Sequence, residues 1–317
     1  MRTNPYTLIG TNNSMQVNTA KELMRNANLD WKVKLENVIA DTGNGFIEIP
    51  DRFATVKYGE NPSVLSVVGT RYKVFQNQDI FGALDDIVGS GAARYGAAGE
   101  LDGGKVVWTV LELPNNISIN GDKHNAYVVA RTSHDGSSPF QLTPMVNRLS
   151  CTNQINAAML DGKKKGLYYS LRHSTNNFID PDNIKSVFKI IDTDIEKYST
   201  VSNWLIGNSF NDGEFSRFLQ KVYPMPAKIE FASEELLSTG ERIVKSKVLK
   251  SRDRAMLVWN GETGTQENIA NTMFAAFQTI VEAEDHFSRK AEKQSERLIL
   301  GKDVSVKSRA LQLLGVR

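Results

Sequence analysis

The segment ARTSHDGSSPFQLTPMVNRLSCTNQINAAM (130–159) brings together Arg131, His134, Asp135, Arg148 and Cys151, the side chains of this chain with the widest chemical range. A thiolate nucleophile needs an imidazole within hydrogen-bond reach and a third group to orient that imidazole. For Cys151 the candidate bases are His134 and His173. A lone cysteine between Ser150 and Thr152 at a strand end is more often a small buried side chain, and Cys151 is assigned to packing. No pair among His124, His134 and His173 has HxH or HxxxH spacing, so a histidine-rich metal centre is not expected. Asp135, or the group Asp180, Asp182, Asp192 and Asp194, could supply oxygens to Mg²⁺ in a nuclease, although carboxylates near helix starts commonly serve as caps. The chain has no GxxxxGK[ST] motif, which argues against an ATP-driven recombinase or helicase.

Basic clusters offer a second chemistry. Lys163, Lys164 and Lys165 run into GLYYSLRH, so Arg148 to His173 holds five Lys/Arg against the single acid Asp161. Cations of this kind neutralise phosphates, and Tyr168 or Tyr169 could stack an unpaired base. On a strand the two tyrosines face opposite sides, so one stacking surface takes only one of them. The plainer reading is a solvated DGKKKG turn followed by a strand with a core tyrosine. Glu241 to Arg254 carries six basic residues against two acids, and the tail from His286 carries eight against three. Exposed helix faces account for both patterns without a ligand.

The elements that must position these groups divide the chain into 1–30, a strand-rich core 31–175, a helical portion 176–285 and a charged tail 286–317. Trp31, Val33 and Leu35 alternate as in a half-buried strand; 52–58, 64–68, 106–113, 126–130 and 140–149 read as further strands, with GENPS and NNISINGD as reversals. Pro144 places its strand at an edge or a bulge. Asn77 is the expected cap of a helix burying Ile80, Phe81, Leu84, Ile87 and Val88, and another helix is expected to open at Thr152 or Asn153. GSGAARYGAAGELDGG (89–104), with six glycines, reads as a flexible turn or hairpin tip. Helices are expected over Ile184–Leu205, Glu214–Val222, Glu234–Leu249 and around Ile269–Ile280. The fold class is α+β, an antiparallel sheet with interspersed helices followed by a mainly helical portion. With 317 residues, 40% of them hydrophobic, and a net charge of +2, composition is that of a soluble globular protein. The absence of a membrane-length apolar run or a signal-like start, and the single cysteine, point to a reducing cytoplasm and no membrane partner.

VVGTRYKVFQNQDIFGALDD (67–86), RTSHDGS (131–137), NRLSCTNQINAA (147–158), LRHS (171–174) and GTQENIANTMFAAFQTIVEAEDHF (264–287) occur in fixed order. Together they resemble a phage- and plasmid-encoded family known chiefly as a domain of unknown function, over roughly residues 30–315. Cys151, Asn153 and Arg148 match its cysteine-and-asparagine motif. The genetic company of that family implies a role similar to the phage single-strand annealing proteins Red-beta, RecT and Erf. The expected function is therefore binding and annealing of single-stranded DNA in recombination or replication, without ATP, cofactor or metal, by a homo-oligomer built on the strand-rich half. Arg148, Lys163, Lys164, Lys165 and Arg172 would hold phosphates and Tyr168 or Tyr169 a base, with Arg131 and His134 as secondary contacts. A metal-dependent nuclease and a phage regulatory or host-interaction protein are the alternatives.

Overall fold

The computed structural model describes residues 17–148, 154–155, 169–286 and 304–316. Helix α1 (Ala20–Asn26) starts at Thr19, whose hydroxyl accepts from Glu22 N, and leads into the antiparallel meander β1 (Lys32–Asp41), β2 (Phe46–Tyr58) and β3 (Ser63–Gly69). Short helices α2 (Asn77–Gly82) and α3 (Asp85–Gly89) connect this sheet to a second one. That sheet runs β4 (Arg94–Leu101), β5 (Val106–Ile119), β6 (Asp122–Ser133) and β7 (Phe140–Arg148), and both β8 (Gln154–Ile155) and β9 (Tyr169–Leu171) pair with β7. The rest is helical: α4 (Pro181–Ile206), α5 (Asp212–Val222), α6 (Ala227–Glu230), α7 (Thr239–Trp259), α8 (Met273–His286) and α9 (Val304–Leu313). The class is α+β, as the patterning implies.

Local chemistry sets the helix starts. Asp180 accepts from Asp182 N with Pro181 in the first turn, where its missing N–H costs nothing. Asn211 with Glu214, and Ser238 with Glu241, form reciprocal capping boxes at α5 and α7. Ion pairing adds little at such exposed ends.

One continuous apolar core joins the two halves. Val107, Leu111, Val128 and Leu142 from the second sheet pack with Ile184, Phe188, Ile191 and Tyr198 of α4, and with Phe274, Phe277 and Ile280 of α8. The opposite face of the same sheet holds a smaller cluster of Ala97, Trp108, Val110, Tyr127 and Val129. Pro144 pairs with Val128 on one side; on the other, β9 takes Phe140 to Leu142 and β8 takes Val146 and Asn147. The proline therefore falls between the two partner segments on that edge.

Several expectations change. The glycine-rich stretch contains strand β4, with Tyr95 and Ala98 buried. Its small residues are required by packing: a Cβ on Gly99 would lie 2.8 Å from Trp108 Cζ2, and one on Gly96 would lie 3.1 Å from Glu112 Cγ. The helix expected from Asn77 divides at Gly82, is capped by Gln76, and uses the Asn77 side chain elsewhere. NNISI continues β5, and the reversal is confined to Asn120 and Gly121, both at positive φ. Glu234–Leu236 is a separate 3-10 turn; the helix begins at Thr239 and continues to Trp259. Gln154 and Ile155 form a strand where a helix was expected, and the remainder of that expectation lies outside the described residues.

Candidate functional site

Three of the motif segments converge where the two sheets meet. β1 begins after Trp31, α2 begins at Asn77, and His134 follows β6, with its N–H donating to Lys105 O over 2.7 Å. His134 Nε2 lies 2.8 Å from Asn77 Oδ1, and Asn77 Nδ2 donates to Leu29 O over 2.9 Å. An amide oxygen only accepts, so His134 carries its proton on Nε2 and its Nδ1 is a bare lone pair. That Nδ1 is buried without a hydrogen-bond partner. Burial first, then the neighbouring His173 and Lys57, push the His134 imidazole down to about 3, against an opposing pull from Asp135. His134 is neutral at physiological pH.

Trp31 meets the edge of the His134 ring at 5.3 Å, and Lys57 Nζ sits 4.5 Å from the Trp31 ring centre. The same ammonium bonds both Glu100 oxygens at 2.8 Å, which ties the first sheet to β4. A layered column results: carboxylate, ammonium, indole, imidazole and amide.

His173 forms the second half of the centre. Its Nδ1 is 3.0 Å from Lys73 O and therefore carries the proton; its Nε2 accepts from the Thr132 hydroxyl at 2.8 Å. Tyr72 stacks on the imidazole at 5.1 Å and Phe75 packs against it at 4.7 Å. The Tyr72 hydroxyl donates to Ser133 O. Burial lowers the His173 pKa and raises that of the Tyr72 phenol. Burial also works to raise the Asp135 carboxyl, but hydrogen bonds from Ser137 and Ser133 outweigh it and hold that group below its ordinary value.

A hydroxyl bonded to an imidazole is the first element of a nucleophile–base pair. Here Thr132 is 1% exposed and the imidazole is oriented by a backbone carbonyl. As arranged, the pair fixes the relation of β6 to the 171–177 loop. Among the described residues no group of three His, Cys, Asp or Glu is placed to hold a metal ion. Asp180 caps α4, Asp135 Oδ1 accepts from Ser137 N, and Asp85 accepts from Tyr95 and from Ala20 N.

The residues singled out in the sequence separate into three groups. His134 is fully buried and Tyr169 is 7% exposed against Phe140, so neither presents its ring to a ligand. Arg131 is partly buried, with its guanidinium on Gln141 Oε1 at 2.9 and 2.7 Å. Arg172 is exposed; Arg148 occupies the end of β7, paired with His124, and its side chain lies outside the description. Cys151, Lys163, Lys164, Lys165 and Tyr168 lie outside the described residues.

The sequence reading missed Arg71 and Lys73. Thr175 N donates to Arg71 O over 3.2 Å, Lys73 Nζ donates to Asn177 O over 2.7 Å, and Asn177 Nδ2 donates to Arg172 O over 2.8 Å. These bonds bring the Arg71, Lys73 and Arg172 backbones onto adjoining loops around the Tyr72–His173 stack. Among the described residues none of the three cations is in an ion pair. The only signal in the sequence was the position of Arg71 and Lys73 inside the 67–86 segment.

Fold and centre define an α+β protein in which two antiparallel sheets are joined through the buried His134 and the half-buried His173. The family model for a domain of unknown function, DUF932, matches residues 64–307, and the chain belongs to that family. No curated protein and no solved structure matches the chain. No helix among the described residues is long and apolar enough to cross a membrane.

Proposed function

We propose that this protein binds single-stranded nucleic acid through phosphates and, as a homo-oligomer of phage type acting in the bacterial cytoplasm, anneals complementary strands without ATP. The observation that supports this reading is the convergence of Arg71, Lys73 and Arg172 on adjoining loops with no carboxylate ion-paired to them among the described residues. Arg172 follows β9 and is close in sequence to Lys163, Lys164 and Lys165, which extend the same cationic set together with Arg148. Phosphate contacts of this kind give affinity without reading sequence, as annealing requires. His134 and Tyr169 have no part in the contact because they are buried, and the partly buried Arg131 turns its guanidinium onto Gln141, whereas the Lys73 ammonium gives one of its three donors to Asn177 O.

Anisotropy of a labelled single strand across a salt series tests the proposal. Seven engaged cations give a slope of log K against log salt of about −5, and Arg71→Ala with Lys73→Ala flattens it by about one and a half units. A salt-independent signal, or no binding at low salt, removes the nucleic-acid reading. Cleavage of the strand in Mg²⁺ or Mn²⁺, lost in Asp135→Ala, would favour the nuclease alternative.

A further inference from the structure

The distal part of the β1–β2 hairpin carries more apolar surface than a solvated arm needs. Ile39 pairs with Glu48 and Asp41 pairs with Phe46, and residues opposite one another in an antiparallel ladder share a face. Ile39 is 57% exposed and Phe46 72%. That face is therefore apolar and acidic at once, and residues 37–51 contain Asp41, Glu48 and Asp51 with no Lys or Arg.

Helix α7 has the complementary surface. Ile243, Lys247, Lys250, Arg254 and Leu257 recur at intervals of four, three, four and three residues, which places them on one face. Ile243 is 50% exposed and Leu257 39%; Arg254 is half-buried, and Val258, one turn beyond it, is buried with Ala255. Among the described residues Lys247, Lys250 and Arg254 form no ion pair, and neither do Asp41 and Glu48. The helix face from Ile243 to Leu257 is about 21 Å long at 1.5 Å per residue. The four arm residues lie at two ladder positions about 7 Å apart along the hairpin, and so cover part of that helix face. Both surfaces are unpartnered and opposite in charge.

We propose that the arm of one copy lays its Ile39–Asp41–Phe46–Glu48 face along the Ile243–Leu257 face of α7 in a second copy. Ile39 and Phe46 exclude water around the contact, and Asp41 and Glu48 meet cations among Lys247, Lys250 and Arg254. Because arm and helix are different surfaces, the contact is head-to-tail, and repetition generates a ring or a filament. Neither surface includes Arg71, Lys73 or Arg172, so the assembly does not depend on nucleic acid.

The test is sedimentation of the full chain at micromolar concentration, without DNA, in low salt. Wild type sediments as an assembly larger than a monomer, and high salt weakens it because its charged pairs are screened. Phe46→Glu combined with Ile39→Glu gives an arm variant; Lys247→Glu combined with Lys250→Glu gives a helix variant. All four positions are exposed, so circular dichroism and urea midpoints stay at wild-type values. Each variant alone sediments as a monomer. Mixed, the intact arm of one and the intact α7 of the other restore a dimer that grows no further. A monomeric wild type, variants that still assemble, or a mixture that stays monomeric overturns the proposal.

Discussion

His134 Nε2 donates to Asn77 Oδ1 across 2.8 Å, while Asn77 Nδ2 donates to Leu29 O across 2.9 Å. One buried amide thus joins the end of β6, the start of α2 and the approach to β1. It also fixes the tautomer of a histidine that burial keeps neutral.

Asn77→Ala removes both bonds and leaves two buried polar groups unsatisfied, at about 1–3 kcal/mol each. The expected loss is about 2–6 kcal/mol, read as a lower urea midpoint with an unchanged m-value. Asn77→Asp keeps the acceptor for His134 and loses the donor to Leu29 O. A midpoint within error of wild type for the alanine variant would show that the amide is dispensable.

Stability should fall in acid through His134 and His173. The folded His134 pKa is depressed to about 3, and that of His173 is lowered too, so the unfolded chain takes up protons first. Stability is complete above the ordinary histidine pKa of about 6.5 and declines as pH falls below it. His134 alone contributes a slope of up to about 1.4 kcal/mol per pH unit, ending near its folded value. Urea titrations at stepped pH measure it, and His134→Gln should flatten the limb. Equal stability at pH of about 7 and about 4.5 would contradict the argument.

Gly99→Ala should destabilise the second sheet. The added Cβ meets Trp108 Cζ2 at 2.8 Å, and Trp108 is fully buried. Overpacking of this kind costs about 1–3 kcal/mol. Trp108→Phe withdraws the clashing ring atoms, so in the double variant the alanine costs less than it does alone. Additive losses in that cycle would mean that the backbone of β4 shifts instead.

Patterning along the chain was enough for the α+β class, for α4 with its Asp180–Pro181 start, for α5 and for α8 from Met273 on, because caps and apolar periodicity are local properties; Ile269, expected on α8, falls in a separate 3-10 turn. It was not enough for β4. Glycine and alanine between residues 89 and 104 read as a turn because no local signal announces that Trp108 and Glu112 will press on them from the next strand.

The motif segments were legible as segments, but their meeting was not. Sequence alone determined that His134, Asn77, Tyr72 and His173 exist in stretches of unusual polar composition, and that cations cluster at 163–165 and along 242–254. Tertiary structure decided that Asn77 turns inward to His134 instead of capping its helix, that His134 and Tyr169 are buried, and that Arg71 and Lys73 stand beside Arg172. The reason is distance along the chain: Asn77 and His134 are 57 residues apart and Lys73 and Asn177 are 104 apart. Hydrogen bonding and burial at such separations depend on how the two sheets pack, and local propensity carries no record of that packing.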